Sequence, residues 1–320
     1  MTSAPQDHRR LVAVTGATGA LGGRVVERLA GSDDVRLRLV VRDVSRPPVP
    51  PGAEVAENPG GYADGAGFAA ALADVHTLYL VSAAEAADRL TQHFSAVDAA
   101  VAAGVQRIVH TSFLDARADS TFTLGRQHAA TEDRIRATGV RATFLRHGCY
   151  ADFVPFFASV EDGRAVIAAP AGQGRASFVS RDDLADVAAA VLRDDSAALD
   201  GRALEVTGPE AVSFAEAAAT LAEVTGRPVE YRDQTVEEAW ATRRPSGHPD
   251  REIEGWVTQL PRDRRGRARA GQRRRPDPDR APGPDRRRAP APAPRGLGRT
   301  CGTDPRPLRS VRPSVSGRRP

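Results

Sequence analysis

The sequence predicts an α/β fold built on a parallel, doubly wound sheet, and three observations carry the prediction. Short apolar, β-branched runs alternate with helical patterns from residue 10 to about residue 207, the order expected of strands joined by crossover helices. A glycine-rich turn, Gly16-Ala17-Thr18-Gly19-Ala20-Leu21-Gly22, separates the first run from the first helical pattern. Hydrophobic residues make up 41% of the chain, enough aliphatic material for a core covered on both faces.

The elements follow in order. Leu11 to Val14 reads as a buried strand, and Val25, Val26 and Leu29 give the next helix its apolar stripe. Arg36 to Val41 is the second strand and Glu54 to Glu57 a weak third. Tyr62-Ala63-Asp64 opens a short helix that ends near Ala73. Asp74 to Val81 is the fourth strand, ending at Ser82-Ala83. Glu85 to Ala103 is a helix closed by Gly104, and Gln106 to Thr111 a fifth strand. Ala129 to Thr138 is helical, and Val140 to Leu145 is the sixth strand, leading into Arg146-His147-Gly148-Cys149-Tyr150. Asp152 to Val160 is expected to be a helix, with Phe153, Phe156 and Phe157 on its apolar side. Asp182 to Leu192 is a helix and Ala203 to Val206 a strand. Ser213 and Glu216 form a capping box for a helix that stops at Gly226. Val229 to Tyr231 and Val236 to Thr242 are the last strand and helix.

Charge separates the chain into two parts. Residues 259–320 hold 19 Arg against 5 Asp, and residues 1–258 hold 26 Arg against 36 acidic residues. The net charge of +4 therefore belongs to the tail, and the part able to fold is acidic. Nucleic acid enters only as a nonspecific partner of the tail. Cys149 and Cys301 lie far apart and imply neither a disulfide framework nor a zinc site. Met1 to Arg10 has no apolar stretch of a signal peptide, and no run approaches membrane-spanning length. A cytoplasmic location is expected.

The glycine turn carries the chemistry. Gly16 permits a tight bend, Gly19 lets a diphosphate approach the backbone, and Gly22 lets helix and strand pack closely. Unpaired N–H groups at the helix start then face the phosphate charge. The spacing is Gly-x-x-Gly-x-x-Gly rather than Gly-x-Gly-x-x-Gly. Arg42 follows the second strand, where an arginine accommodates the 2′-phosphate of NADP. NADPH is the expected cofactor, with NADH left open through Asp43.

An ordered set of segments then resembles one family. Thr15-Gly-Ala-Thr-Gly-Ala-Leu-Gly22, Val41-Arg42, Tyr79-Leu-Val-Ser82, His110-Thr-Ser112 and Leu145-Arg146-x-Gly148-x-Tyr150 come first. Phe178-Val-Ser-Arg-Asp-Asp-Leu-Ala-Asp-Val187 and Glu205-Val-Thr-Gly-Pro209 follow. Residues 10–258 resemble the NmrA-like branch of the atypical short-chain dehydrogenase/reductases, and within it the type 2 NAD(P)H:quinone oxidoreductases. The resemblance implies a Rossmann core, about residues 10–146 plus 185–207, and a smaller substrate lobe, about 147–184 and 208–258. It implies NADPH held by Gly16, Thr18, Gly19, Ala20, Leu21 and Arg42, with Ser82 and Thr111 beneath it. The loop from Arg146 to Tyr150 would lie near the nicotinamide. Gly61 departs from relatives that carry an acidic residue before the tyrosine, which puts part of the adenine contact in question.

The better-known short-chain reductases use Tyr-x-x-x-Lys, where the lysine lowers the tyrosine pKa. The chain has no lysine at all, so that device is absent. Hydride transfer to a quinone asks less of the protein: hold nicotinamide and acceptor together and exclude water. Tyr150 and His147 are the candidate catalytic residues, with His128 a further proton donor. Asp182 and Asp183 suit a helix N-terminus and are read as structural. Two functions are carried forward: NADPH-dependent reduction of a quinone-like or other small electrophilic acceptor, and a non-catalytic NADP(H)-sensing regulator. A homodimer is compatible with both.

From about Pro261 arginine, proline, glycine and alanine dominate without periodicity. Two readings stand: a disordered basic tail, or the product of a shifted reading frame. Back-translated with GC-rich codons and read one base later, Gln259 onward permits apolar segments resembling the family's final helices.

Overall fold

The computed structural model describes residues 8–46, 49–161 and 163–258. Everything described belongs to one compact unit. The expectations for the tail lie outside the described residues.

Twelve strands are described: β1 (Arg10–Thr15), β2 (Val35–Val41), β3 (Glu54–Glu57), β4 (Thr77–Leu80), β5 (Arg107–Phe113), β6 (Arg141–His147), β7 (Ala158–Glu161), β8 (Arg164–Ala169), β9 (Arg175–Ala176), β10 (Ala203–Val206), β11 (Val212–Ser213) and β12 (Val229–Asp233). Seven of them form one sheet in the order β10-β6-β5-β4-β1-β2-β3, and every neighbouring pair is parallel. The strand order reverses between β4 and β1, which opens a crevice at their carboxyl ends.

Alternation along β1 explains why its run is apolar throughout. Val12 and Val14 join a cluster with Val25, Val26 and Leu29 of helix α1 (Gly22–Leu29). Leu11 and Ala13 point to the other face, with Phe68 of α2 (Gly65–Ala71) and Val97 of α3 (Arg89–Ala102). Helix α4 (Thr123–Ala137) adds Ile135 to that second face, and α5 (Arg181–Arg193) adds Leu184, Ala188 and Leu192 to the first. This is the doubly wound sheet the sequence predicts.

The smaller lobe corrects one expectation. Asp152 to Val160 is not an α-helix: Ala151–Phe157 is a 3-10 helix containing Pro155, and the chain then enters β7. Proline lacks the N–H an α-helix interior needs, so the segment tightens and leaves the helix. β7 pairs with β8, and β8 with β12; β8 is a strand the sequence pattern did not signal. Ser213 caps α6 (Phe214–Thr225) with Glu216 as expected, each side chain bonding the other's backbone N–H at 3.2 and 2.7 Å. Thr235 and Glu238 make a second capping box for α7 (Val236–Arg243), and α8 (Asp250–Thr258) follows unforeseen.

Phe214 is the centre of this lobe. It is 1% exposed and meets the rings of Phe157, Phe178 and Tyr231 at 5.6, 5.8 and 6.1 Å. Phe214→Ala should therefore cost about 3–5 kcal/mol, the usual range for emptying a buried aromatic site, read as a lower midpoint in urea unfolding; an unchanged midpoint would contradict this packing.

Candidate functional site

The turn after β1 is shaped for a close-lying anion. Gly16 adopts φ +61°, and a Cβ on Gly22 would overlap the Gly16 carbonyl; helix and strand can approach this closely only without a side chain there. Thr18, Gly19 and Ala20 are exposed while Leu21 is buried as an anchor. Leu21, at the N-cap of α1, makes no side-chain capping bond, and the first turn carries no acidic residue. The positive end of the helix is left for an anion from outside. The chain here fits a dinucleotide diphosphate.

At the end of β2, Arg42 is exposed. The neighbouring Asp43 is already engaged: its Oδ1 accepts from Ser45 N at 2.9 Å and Ser45 Oγ at 2.6 Å. These bonds hold its carboxyl below the usual range. Gly61 adopts φ +60° and lies against the Arg42 side chain, the Cδ 3.5 Å from where a Cβ would sit. Glycine there meets a backbone demand that an acidic residue would strain.

Next to it, the Tyr62 hydroxyl lies 2.6 Å from both Thr15 Oγ1 and Val81 O. Thr15 Oγ1 donates to Tyr79 O at 3.0 Å and accepts from Val81 N at 2.9 Å. The glycine turn is thus tied to the end of β4, where the pocket begins. Ser82 and Thr111 interlock: Ser82 N donates to Thr111 Oγ1 at 2.7 Å and Ser82 Oγ to Thr111 O at 2.6 Å.

Beyond this rim lies a cavity of about 260 Å³. Ser82, Thr111 and Tyr150, all singled out in the sequence, share its wall with Phe113, His128 and Arg89. His147 stands behind Tyr150, its Nδ1 2.9 Å from the phenol oxygen. Arg146 turns elsewhere: its Nε and Nη2 donate to the buried Glu132 at 2.8 and 2.6 Å. Two of its nitrogens are thus engaged in bracing β6 against α4. Glu132 also accepts from Ser112 and Arg136. Burial pushes its carboxyl up, but these donors outweigh burial and hold it below the usual range. Asp182 pairs with Arg24 and Arg28 of α1, and Asp183 N is capped by Ser180, structural roles in keeping with the sequence.

The sequence reading missed Arg89, His93, His110 and Glu132. One signal was present: His128-Ala-Ala-Thr-Glu132 repeats the i, i+4 spacing of Tyr-x-x-x-Lys. His93 is held between Ala83 N, which donates to Nε2 at 3.0 Å, and Thr131 Oγ1, 2.9 Å from Nδ1. Burial and the Arg89 charge drop its pKa from 6.5 to about 2. Burial takes His110 to about 4 and His147 to about 3. His128, expected as a proton donor, is 7% exposed and pushed well below 6.5 by burial and Arg89. It is neutral at pH 7 and has no imidazolium proton to give.

Among the described residues no group of histidine, cysteine and carboxylate side chains could hold a metal ion. No described helix is long and apolar enough to cross a membrane.

A parallel sheet with a glycine turn at its switch point and a pocket beside it defines a dinucleotide-binding α/β protein. The NmrA-like family model matches residues 8–246, and the chain belongs to that family. It is 31% identical over 241 residues to quinone oxidoreductase 2 of Escherichia coli (strain K12), covering 75% of this chain and 83% of that one. It is 28% identical over 240 residues to the NAD(P)H azoreductase of Xenophilus azovorans, covering 75% and 82%. The structure of the Escherichia coli NADPH-dependent quinone oxidoreductase complexed with NADPH superposes with a TM-score of 0.65 at 29% identity, over 78% of this chain and 87% of that one. The resemblance drawn from the ordered motifs is borne out.

The four buried histidines set an acid limit on the fold. Each folded pKa lies below 6.5, so the unfolded chain takes up protons first as pH falls. Their contribution is complete above pH 6.5 and is lost below it, by up to about 1.4 kcal/mol per pH unit for each histidine. Urea unfolding between roughly pH 7.5 and 5 should show stability falling with a slope approaching four protons, a loss of about 8 kcal/mol by pH 5 against a typical stability of about 5–15 kcal/mol. Stability that stays level to pH 5 would mean that these histidines are charged in the folded protein.

Proposed function

We propose that the chain is an NADPH-dependent oxidoreductase that delivers hydride to a quinone-like or similar small electrophilic acceptor. The observation that carries this reading is the juxtaposition of the uncapped glycine turn with a pocket holding a phenol and no lysine. The names of the relatives support the same chemistry. Backbone at Gly16, Thr18, Gly19, Ala20 and Leu21 would hold the diphosphate, and Arg42 the 2′-phosphate. Ser82 and Thr111 would lie under the nicotinamide end. The bound dinucleotide supplies the hydride.

The protein's own part centres on Tyr150. Among the described residues His147 Nε2 has no hydrogen-bond partner, and it is buried. A buried N–H without an acceptor is costlier than a bare lone pair, so the favoured tautomer carries its proton on Nδ1 and donates it to the Tyr150 oxygen. The Tyr150 O–H is then released to donate to an acceptor carbonyl in the pocket. Burial raises Tyr150 to about 12 and lowers His147 to about 3. Neither titrates near neutrality, so the pair orients and polarises the acceptor while solvent supplies the net proton.

Consumption of NADPH on adding a quinone to the full chain tests the reading. Tight NADPH binding without oxidation across quinones and other electrophiles would favour the sensing regulator instead. Arg42→Ala should weaken NADPH binding roughly 10–100-fold, the worth of one charge-assisted bond, with NADH binding little changed; equal losses for both nucleotides would remove Arg42 from the 2′-phosphate site. Tyr150→Phe should lower kcat at least about tenfold with NADPH affinity intact. The kcat of the unmodified chain should be level from roughly pH 7 to 9; a step in that range would mean a titrating proton donor.

A further inference from the structure

Arg89 breaks three ordinary rules at once. It is 2% exposed, whereas arginine is almost never fully buried unless paired. It opens helix α3, where a cation meets the positive end of the helix dipole. Its guanidinium also has no carboxylate within 4.0 Å among the described residues. Its partners are all neutral: Nε donates to Ala83 O at 2.9 Å, Nη1 to Gln127 Oε1 at 2.9 Å, and Nη2 to His128 Nε2 at 3.1 Å. The nearby Asp88 carboxylate accepts from Gln92 instead. Glu85, at the exposed mouth of the pocket, reaches Arg89 through its field without an ion pair.

A guanidinium has five N–H donors, and three of them are used here. Arg89 also lines the cavity, together with Tyr150, Ser112 and Phe113. An uncompensated buried cation is expensive, and sites that break local rules in this way are characteristically functional. The charge is strongly held: burial lowers the guanidinium pKa only to about 10, so it stays cationic at neutral pH.

We propose that Arg89 is an oxyanion-binding residue that contacts the acceptor and holds the negative charge hydride transfer creates on it. This deepens the reductase reading and rests on it. Hydride delivered to one carbonyl oxygen of a quinone would form an O–H bond there, a bound reduced nicotinamide being the donor that is oxidised. The electron pair displaced through the ring settles on an oxygen, leaving a phenolate. The Arg89 N–H groups hold that oxygen, and a solvent proton completes the hydroquinone on release. The same donors would favour acceptors whose reduced form is an oxyanion over those whose reduced form is uncharged.

The test needs neither nucleotide nor turnover. 4-Nitrophenol ionises close to neutrality and its phenolate is coloured, so its protonation state when bound to the full chain is read by absorbance. The bound probe should ionise about tenfold more readily than the free one, a shift of about one pH unit. Arg89→Lys should keep the shift only in part, because a buried lysine gives up its proton more readily, and Arg89→Gln should abolish it while NADPH affinity is retained. Should Arg89→Gln fail to fold, binding to the unmodified chain decides: phenolate must bind more tightly than neutral 4-nitrotoluene, and equal binding overturns the proposal. The same shift in all three chains, or no phenolate binding, also overturns it. In quinone reduction, Arg89→Gln should lower kcat about 100-fold with KM little changed; a change confined to KM would make Arg89 a mere wall of the pocket. Because the absorbance shift is read without reduction, it stands or falls separately from the reductase reading.

Discussion

The hydroxyl of Thr15 joins the two halves of the sheet at the point where strand order reverses. It donates across to Tyr79 O on β4 and accepts from Val81 N, and Tyr62 closes over it from the other side. In a parallel sheet the switch point is where two loops diverge and leave a crevice. Here one hydroxyl keeps those loops in register, so the glycine turn and the rim at Ser82 are held at one fixed separation. The turn and the rim of the pocket are tied together by that join. Tyr150 itself is brought in by a bridge to Val179, with Ala151 N donating to Val179 O at 2.9 Å.

A chain without lysine must find its charge elsewhere, and it does so with arginine. Lysine loses its proton readily when buried, whereas arginine keeps its charge. The pocket therefore holds a fixed cation, Arg89, among imidazoles kept neutral by burial and by that cation. The surrounding ion pairs follow the same division: Glu132 is buried and shared by Arg146 and Arg136, while Arg24 and Arg28 meet Asp182 at the surface, where such pairs contribute little.

The sequence was legible wherever a local rule and the tertiary fold agreed. Strand boundaries at Glu54–Glu57 and Ala203–Val206 match the structure to the residue, because both runs are bounded by turn residues. It was least legible in the smaller lobe. The Phe153-Phe157 stretch looked helical because its aromatics are spaced like a helix stripe, yet Pro155 denies the hydrogen bond that would make one. β8 was missed because Arg164–Ala169 is short and alanine-rich, and only pairing with β7 and β12 makes it a strand. Helix α3 begins at Arg89 rather than Glu85 because Arg89 reaches back to the Ala83 carbonyl and fixes the preceding segment as pocket wall.

By itself, the sequence determined the parallel sheet, the phosphate-type turn, the arginine after β2 and the absence of a Tyr/Lys pair. Each is a matter of residue type and spacing within a few positions, where sterics and periodicity act directly. The tertiary structure alone decided which side chains face one another across the pocket. Arg89, His93 and His128 come from two helices that meet only on folding, and Arg146 of β6 finds Glu132 on α4. Burial and neighbouring charge set the protonation of these groups, and neither can be computed from the order of residues until the chain has closed around them.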